Sequence, residues 1–497
     1  MQNLQLRTEE RNLRAVACLN SACLGFFRLF FSLLKDLFLR FYIKPLEGLK
    51  KMHRVMFMYH VGRIMAVLWL VVGTQVKASP WLESGDPFLR ADLTVLSDAG
   101  ELNAPINHYP LRWSSFYDDT DPRHQQTIGN RTVNDARYQM INTARSHVRY
   151  QAQAAKLNRA PIAFDAYWAN DPAVSLDYGD VPRHEWSVGA AYQYMSNRFA
   201  FKVANQYRRD AKGDDEYTWQ GTYLALNDGR WLFTLGQIER WWGQGWQHNL
   251  IWGNRSEAAP SASLSYLGDE KPLIGYWSFE AVYQLPEKTG YDSHWAMRLV
   301  SQPFRAFQHG LSYQKWQDPN GSRQTSEQWA WDAKLALPVF NLPLAHALYT
   351  EVASDYQGQE RAASIVGWSG QTTIARQSIR VVLEQQMTHH GFESSLDNTP
   401  AVDQSLSSDQ LGGNSTTYGL NESRSIAVYA QLSNDHAIKL MSAEREQGNH
   451  SWRDLEASYR LPIATAMLTL GASQTDDGAP HVADSNVRVW LNYQMRF

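Results

Sequence analysis

The sequence predicts a mainly β fold: a transmembrane antiparallel β-barrel of about 18 strands with an N-terminal periplasmic α-helical bundle or plug. Three observations predict it. The chain is rich in Trp (19) and Tyr (24), yet its mean hydropathy is negative at -0.46. From Pro161 to the C-terminus the apolar residues recur with period two. The connections between these runs alternate between short turns and long polar loops.

Residues 52–78 read as a signal peptide. Lys51, Arg54 and Arg63 give a basic start, Ile64 to Gly73 an apolar run too short to span a bilayer, and Val76-Lys77-Ala78 a small-residue cleavage site before Ser79. Residues 1–51 are then either an over-extended start, with Met52 or Met56 initiating, or an amphipathic segment built on Gly25 to Tyr42. Both cysteines, Cys18 and Cys23, fall in this region, so the remainder holds no disulfide and no cysteine metal site.

Charge is distributed unevenly. Before Ser79 there are 12 Lys+Arg and 4 Asp+Glu; the whole chain has 47 and 50, which leaves 35 and 46, a net of -11. An acidic body lacks the basic footprint of a nucleic-acid binder. It leaves room for an anionic polysaccharide held by a local Arg/Lys cluster.

Residues 79–156 read as helical and form the expected periplasmic plug. Asp86 is a good N-cap, Pro87 suits the first helical position, Leu89, Leu93 and Leu96 share a face, and Gly100 ends the helix. A second helix is expected from Thr132 to Ala155, with Val133, Ala136, Met140, Ala144 and Val148 on one stripe. Seventy-odd residues alone make a marginal core, which favours packing on the barrel mouth over an independent domain.

Residues 157–497 form the expected barrel. Trp186, Val188, Ala190 and Tyr192 alternate with Ser187, Gly189 and Ala191; Val487, Val489, Leu491, Tyr493 and Met495 alternate with Arg488, Trp490, Asn492, Gln494 and Arg496. One set can meet outer-membrane lipid while the other faces water or partners inside. Phe497, an aromatic ending such a strand, resembles the signature read by the barrel assembly machinery. Strict alternation yields eighteen strands, from 161–168 to 486–497, with both sheet ends periplasmic. Ser196-Asn197-Arg198, Asn227-Asp228-Gly229 and Asn434-Asp435-His436 are the short turns. Trp241 to Pro260 and His389 to Ser423 are long external loops.

Candidate chemistry concentrates in Arg240-Trp241-Trp242-Gly243-Gln244-Gly245-Trp246-Gln247-His248-Asn249, at the outer end of an upward strand. Indole faces stack on sugar C–H faces, while Gln, Asn and Arg hydrogen-bond hydroxyls or carboxylates. Trp241, Trp242, Gln244, Trp246, Gln247, Asn254 and Arg255 are therefore the candidate polysaccharide-binding residues. The competing reading of the indoles is an aromatic girdle at the bilayer interface. A Ca²⁺ site from Asp397, Asp403 and Asp409 matches no known loop spacing. His389-His390 reads as strand-end polarity, and Arg380 with Glu384 as lumen charges pairing across the sheet. No nucleophilic triad or carboxylate pair assembles, so no enzyme activity, catalytic residue, metal or cofactor is expected.

Two stretches carry a family resemblance. SPWLESGDPFLRADLTVLSDAGELNAPINHYPLRWSS, from Ser79, resembles the mature start of the Wzi-type capsule assembly family. RWWGQGWQHNLIWGNRSEAAPSASLS, from Arg240, resembles that family's WGQGW-like motif and the segment after it. The resemblance runs from about Trp81 to Phe497. It implies an eighteen-stranded outer-membrane barrel with a periplasmic helical bundle, and a non-catalytic, lectin-like role in holding capsular polysaccharide or exopolysaccharide at the cell surface. A porin or oligosaccharide channel is the alternative function.

Overall fold

The computed structural model describes residues 79–120, 136–157, 161–171, 177–179, 184–209, 215–253, 258–286, 293–317, 326–338, 343–355, 362–375, 377–389, 420–432, 435–447, 449–476 and 487–496. The expected signal peptide, residues 1–51, the Ca²⁺ candidates, His390, Val133, Asn254, Arg255 and Phe497 lie outside the described residues.

The chain first forms α1 (Pro87–Asp98) and later α2 (Ala136–Leu157). Asp86 caps α1 as expected, its Oδ1 accepting from Phe88 N at 3.0 Å and Leu89 N at 3.2 Å. Leu89, Leu93 and Leu96 pack on Met140, Ala144 and Val148 of α2 in one buried cluster. Ala136, assigned to that stripe from sequence, is exposed because the stripe begins a turn later and continues to Ala152.

The barrel starts with β1 (Ile162–Ala169), β2 (Trp186–Met195), β3 (Phe199–Arg209) and β4, split into Asp215–Thr218 and Tyr223–Asp228. Next come β5 (Trp231–Gly236), β6 (Ser261–Leu267), β7 (Tyr276–Gln284), β8 (Ser293–Phe304) and β9 (Phe307–Gln317). Then follow β10 (Ser326–Ala336), β11 (Leu344–Asp355), β12 (Ala362–Ile374), β13 (Gln377–His389) and β14 (Glu422–Gln431). The wall ends with β15 (Ala437–Gln447), β16 (His450–Ile463), β17 (Ala466–Thr475) and β18 (Val487–Arg496). Neighbours pair antiparallel throughout, and β18 closes on β1 with Arg496 opposite Ala163. This is the eighteen-stranded closure expected from the alternation, with both halves of β4 pairing on the same side of β3.

Period two sorts the side chains. On β8, His294, Ala296, Arg298 and Val300 are buried while Trp295, Met297 and Leu299 are exposed. Leu348, Leu383, Ile426, Leu440, Leu455 and Leu470 continue the exposed set around the wall. On β18, Val487, Val489 and Leu491 face out, and Arg488 and Trp490 face in. A closed sheet with an outward apolar band is what hydrocarbon demands, since no backbone edge remains unpaired.

Short turns such as 196–198, 229–230 and 464–465 gather at one end, which by the usual asymmetry of such barrels is the periplasmic one. α1 sits inside that end. Lys334 on β10 donates to Asp98 at 2.6 Å, Arg380 on β13 to the Ala91 carbonyl at 3.1 Å, and Gln431 on β14 to the Phe88 carbonyl at 2.8 Å.

The structure corrects the sequence reading at β5 and the loop after it. The strand expected to run to 240 stops at Gly236, and Trp241 to Gly253, expected as part of an external loop, lies inside the wall. Gly236 has φ 154, and a Cβ there would sit 2.3 Å from the Thr222 carbonyl oxygen. Only glycine permits this turn, which sends the chain into the lumen.

Candidate functional site

The inserted segment is built around its carbonyls, N–H groups and indoles. Trp241 and Trp242 form a two-residue antiparallel ladder with Tyr109 and His108 of the N-terminal segment. Asn249 Oδ1 accepts from Ile251 N at 3.0 Å and Trp252 N at 2.7 Å, folding the return limb back so that Trp252 packs on Trp242, centroids 4.8 Å apart. Trp241, Trp242, Gln244, Trp246 and Gln247 are each no more than 5% exposed. Stacking a sugar on these rings requires open faces, and the faces are covered by protein. The girdle reading of these indoles fails for the same reason, since they lie inside the wall rather than on it.

Wall carboxylates form the sockets. Glu384 on β13 accepts from the backbone N of Trp246 (2.7 Å), Gln247 (3.0 Å) and His248 (2.7 Å), and from the Tyr349 hydroxyl (2.8 Å). Three converging N–H groups of a tight turn make an anion-binding concavity, here filled by the protein's own carboxylate. Glu351 on β11 accepts from Gly245 N at 2.8 Å. A Cβ at Gly243 would lie 2.1 Å from Glu351 Oε1, so the glycines of the W-G-Q-G-W run let backbone meet wall. Asp332 on β10 accepts from Gln244 Nε2 (3.1 Å) and Asn107 Nδ2 (2.6 Å), and pairs with Arg298 at 2.7 Å. Glu280 on β7 meets His108 at 2.5 Å and Arg240 at 3.2 Å.

A third piece of chain joins them. Tyr178 donates its backbone N–H to the Trp246 carbonyl at 2.9 Å, and Asp177 pairs with Lys439 of β15 at 2.5 Å. Arg90 of α1 lies at the centre. Its Nη1 and Nη2 donate to the carbonyls of Gly245 (2.9 Å) and Gln244 (2.8 Å), between the rings of Tyr178 and Trp246. Burial pushes the phenols of Tyr109 and Tyr178 up, so both stay neutral.

The arrangement is a polar, densely hydrogen-bonded plug. Arg380 and Glu384, expected to pair only across the sheet, divide their bonds. Arg380 binds Gln371 at 2.9 Å and Ser369 at 3.1 Å on the neighbouring strand but also reaches α1, and Glu384 serves the insert. Between the N-terminal segment and strands β5 to β7 a cavity of 220 Å³ remains, lined by Trp81, His108, Arg112, Thr234, Ser263 and Glu280 among others. Sequence reasoning missed Arg90, Glu280, Asp332 and Glu351. The inward carboxylates on alternating strands were their signal.

Residues 166–330 match the family model of the capsule assembly protein Wzi. The match spans about a third of the chain. It includes the W-W-G-Q-G-W run, whereas the N-terminal stretch from Ser79 lies outside the matched residues. The solved structure of Escherichia coli Wzi, described as an outer-membrane protein involved in group 1 capsule assembly and a carbohydrate-binding β-barrel, superposes with TM-score 0.66. Sequence identity is 13%, covering 85% of this chain and 100% of that one. The fold is thus Wzi-like. OccAB3 of Acinetobacter baumannii (TM-score 0.42, 11% identity, 68% of this chain, 98% of that one) and OpdK of Pseudomonas aeruginosa (0.42, 12%, 68%, 97%) align more loosely. No protein of curated function matches in sequence. The outward apolar band is that of a barrel that spans a lipid bilayer.

Proposed function

We propose that this protein is a non-catalytic, lectin-like barrel that binds capsular polysaccharide or exopolysaccharide and organises its attachment at the cell surface. The observation that carries this is the Wzi-family match over residues 166–330, on a barrel that superposes along the full length of a carbohydrate-binding one. The filled lumen supports the same reading over a porin or oligosaccharide channel, because α1, the Trp241 segment and Tyr178 meet inside it. The partners in this reading are the polysaccharide outside, lipid around the wall and the barrel assembly machinery during insertion.

Trp241, Trp242, Gln244, Trp246 and Gln247 enter as residues that hold the platform beneath the external loops, while Asn254 and Arg255 remain candidates for direct contact. Deleting the gene should leave polymer synthesised and exported but shed into the medium, measured as cell-bound against released polysaccharide. Loss of synthesis itself would contradict the proposal.

A further inference from the structure

At the long-loop end of the barrel, the inward faces of β18, β1, β2 and β3 bring together a group that plugging does not use. Arg488 lies on β18, Tyr167 on β1, His184 just before β2 and Arg208 on β3; all four are more than nine-tenths buried. Arg488 Nε donates to the Asp171 carbonyl at 3.0 Å and Nη2 to the Tyr167 hydroxyl, and the guanidinium lies 4.5 Å from the Trp490 ring centroid. Both hydrogen-bond acceptors are neutral. Among the described residues no carboxylate is bonded to Arg488, and the Asp171 carboxylate accepts from Asn170 at 3.0 Å. Arg208 is held by Glu216 at 2.9 and 2.6 Å. His184 packs edge-on against Tyr167, with centroids 5.4 Å apart, and its Nε2 is buried with no hydrogen-bond partner.

A buried cation with only neutral partners is costly, and so is a buried ring nitrogen with none. One anion placed against both would relieve both. Burial, with Arg208 and Arg488 nearby, holds the imidazole down to about 3, so it is neutral and its Nε2–H tautomer can donate. A guanidinium fork is the side chain best shaped for a carboxylate. Trp490 beside it offers an aromatic surface of the kind on which sugar rings stack.

We propose that Arg488 and His184, with Arg208 and Trp490 as their surround, form a binding site for a carboxylate carried on a sugar residue. This rests on the polysaccharide-binding reading above and narrows it to acidic polymers entering the outer mouth of the barrel.

The test is calorimetric titration of the detergent-solubilised full chain with oligoglucuronate, with neutral oligoglucose of equal length, and with inorganic sulfate. The expected result is a preference of tenfold or more for oligoglucuronate. Arg488→Gln should abolish that preference, and Arg488→Lys should keep part of it. Heat-modifiable gel mobility checks that both variants remain folded barrels. Equal binding of the acidic and neutral oligomers, or an undiminished preference in Arg488→Gln, overturns the site and leaves the polysaccharide reading standing. Sulfate displacing oligoglucuronate at equal concentration reduces the site to a bare anion site and overturns its saccharide half. Binding of neither oligomer overturns the reading beneath it as well.

Discussion

The Arg90 guanidinium lies 4.2 Å from the centroid of the Tyr178 ring, so a helix from the periplasmic end touches a loop from the outer end inside the wall. The same guanidinium donates to Gln244 and Gly245. Three separate stretches of chain therefore depend on one side chain. Arg90→Ala should loosen all three, costing about 3 kcal/mol for two charge-assisted hydrogen bonds. The expected readout is faster protease cleavage within residues 79–157 while heat-modifiable mobility of the barrel persists. Unchanged cleavage would show that Arg90 is not the link.

Glu384 offers a second point of attack. Gln at 384 keeps one acceptor oxygen but sets an NH₂ group against N–H donors, so at least one of the three turn N–H groups loses its partner. The insert should be destabilised by about 3 kcal/mol, within the range for breaking a buried charged contact. Tryptophan emission should shift to the red as Trp246 meets water. An unshifted spectrum would count against the socket.

Gly243→Ala tests the close approach to the wall. The new methyl would fall on Glu351 Oε1, and the residue would retain φ 143. A loss of about 1–3 kcal/mol is expected, read as a lower denaturant midpoint for the indole signal. A larger side chain should be worse. An alanine variant with wild-type stability would mean that the backbone can retreat.

The α1–α2 contact should respond to pH through His147, whose Nδ1 lies 3.0 Å from Asp92 Oδ2. That hydrogen bond holds the imidazole above its ordinary value, and burial raises the Asp92 carboxyl. A raised histidine contributes fully below its unfolded value near 6.5 and loses the contribution as pH rises through its folded value. A raised carboxyl acts in the same direction, since ionising it in the buried site costs stability as pH rises. Amide exchange in α2, corrected for intrinsic rate, should show more protection at pH 5.5 than at pH 8.5. His147→Phe should flatten the difference.

Conductance separates a filled barrel from a pore. In planar bilayers the intact protein should pass little current, and excising residues 79–157 should raise it several-fold. A wild-type current as large as that of the excised form would reinstate the channel.

Much of the wall was legible because lipid enforces period two, so Trp295, Met297 and Leu299 could only face out once His294 and Arg298 faced in. The first helix was legible through local chemistry: Asp86, Pro87 and the spacing of Leu89, Leu93 and Leu96 need no tertiary information. The fate of the Trp241 segment was not legible. A long run of Trp, Gly, Gln and Asn after a strand is consistent with an outside loop or an inside one, and the choice rests on partners far away in sequence. Glu384 is 138 residues from Trp246, and Gly245 is 155 from Arg90. Period alone does not say which lumen carboxylates meet an insert and which meet a neighbouring strand.

The sockets for the insert and α1 run along the wall from β7 to β15, at Glu280, Asp332, Glu351, Glu384 and Lys439, and lead to one hub near Arg90. The lumen is thereby braced like a spoked wheel. An unfilled barrel can flatten under lateral pressure from the bilayer, but a close-packed interior has low compressibility and carries the load from one side of the wall to the other. The outer rim consequently keeps its diameter while lipids jostle it, and a long polymer resting there would meet groups at fixed spacing.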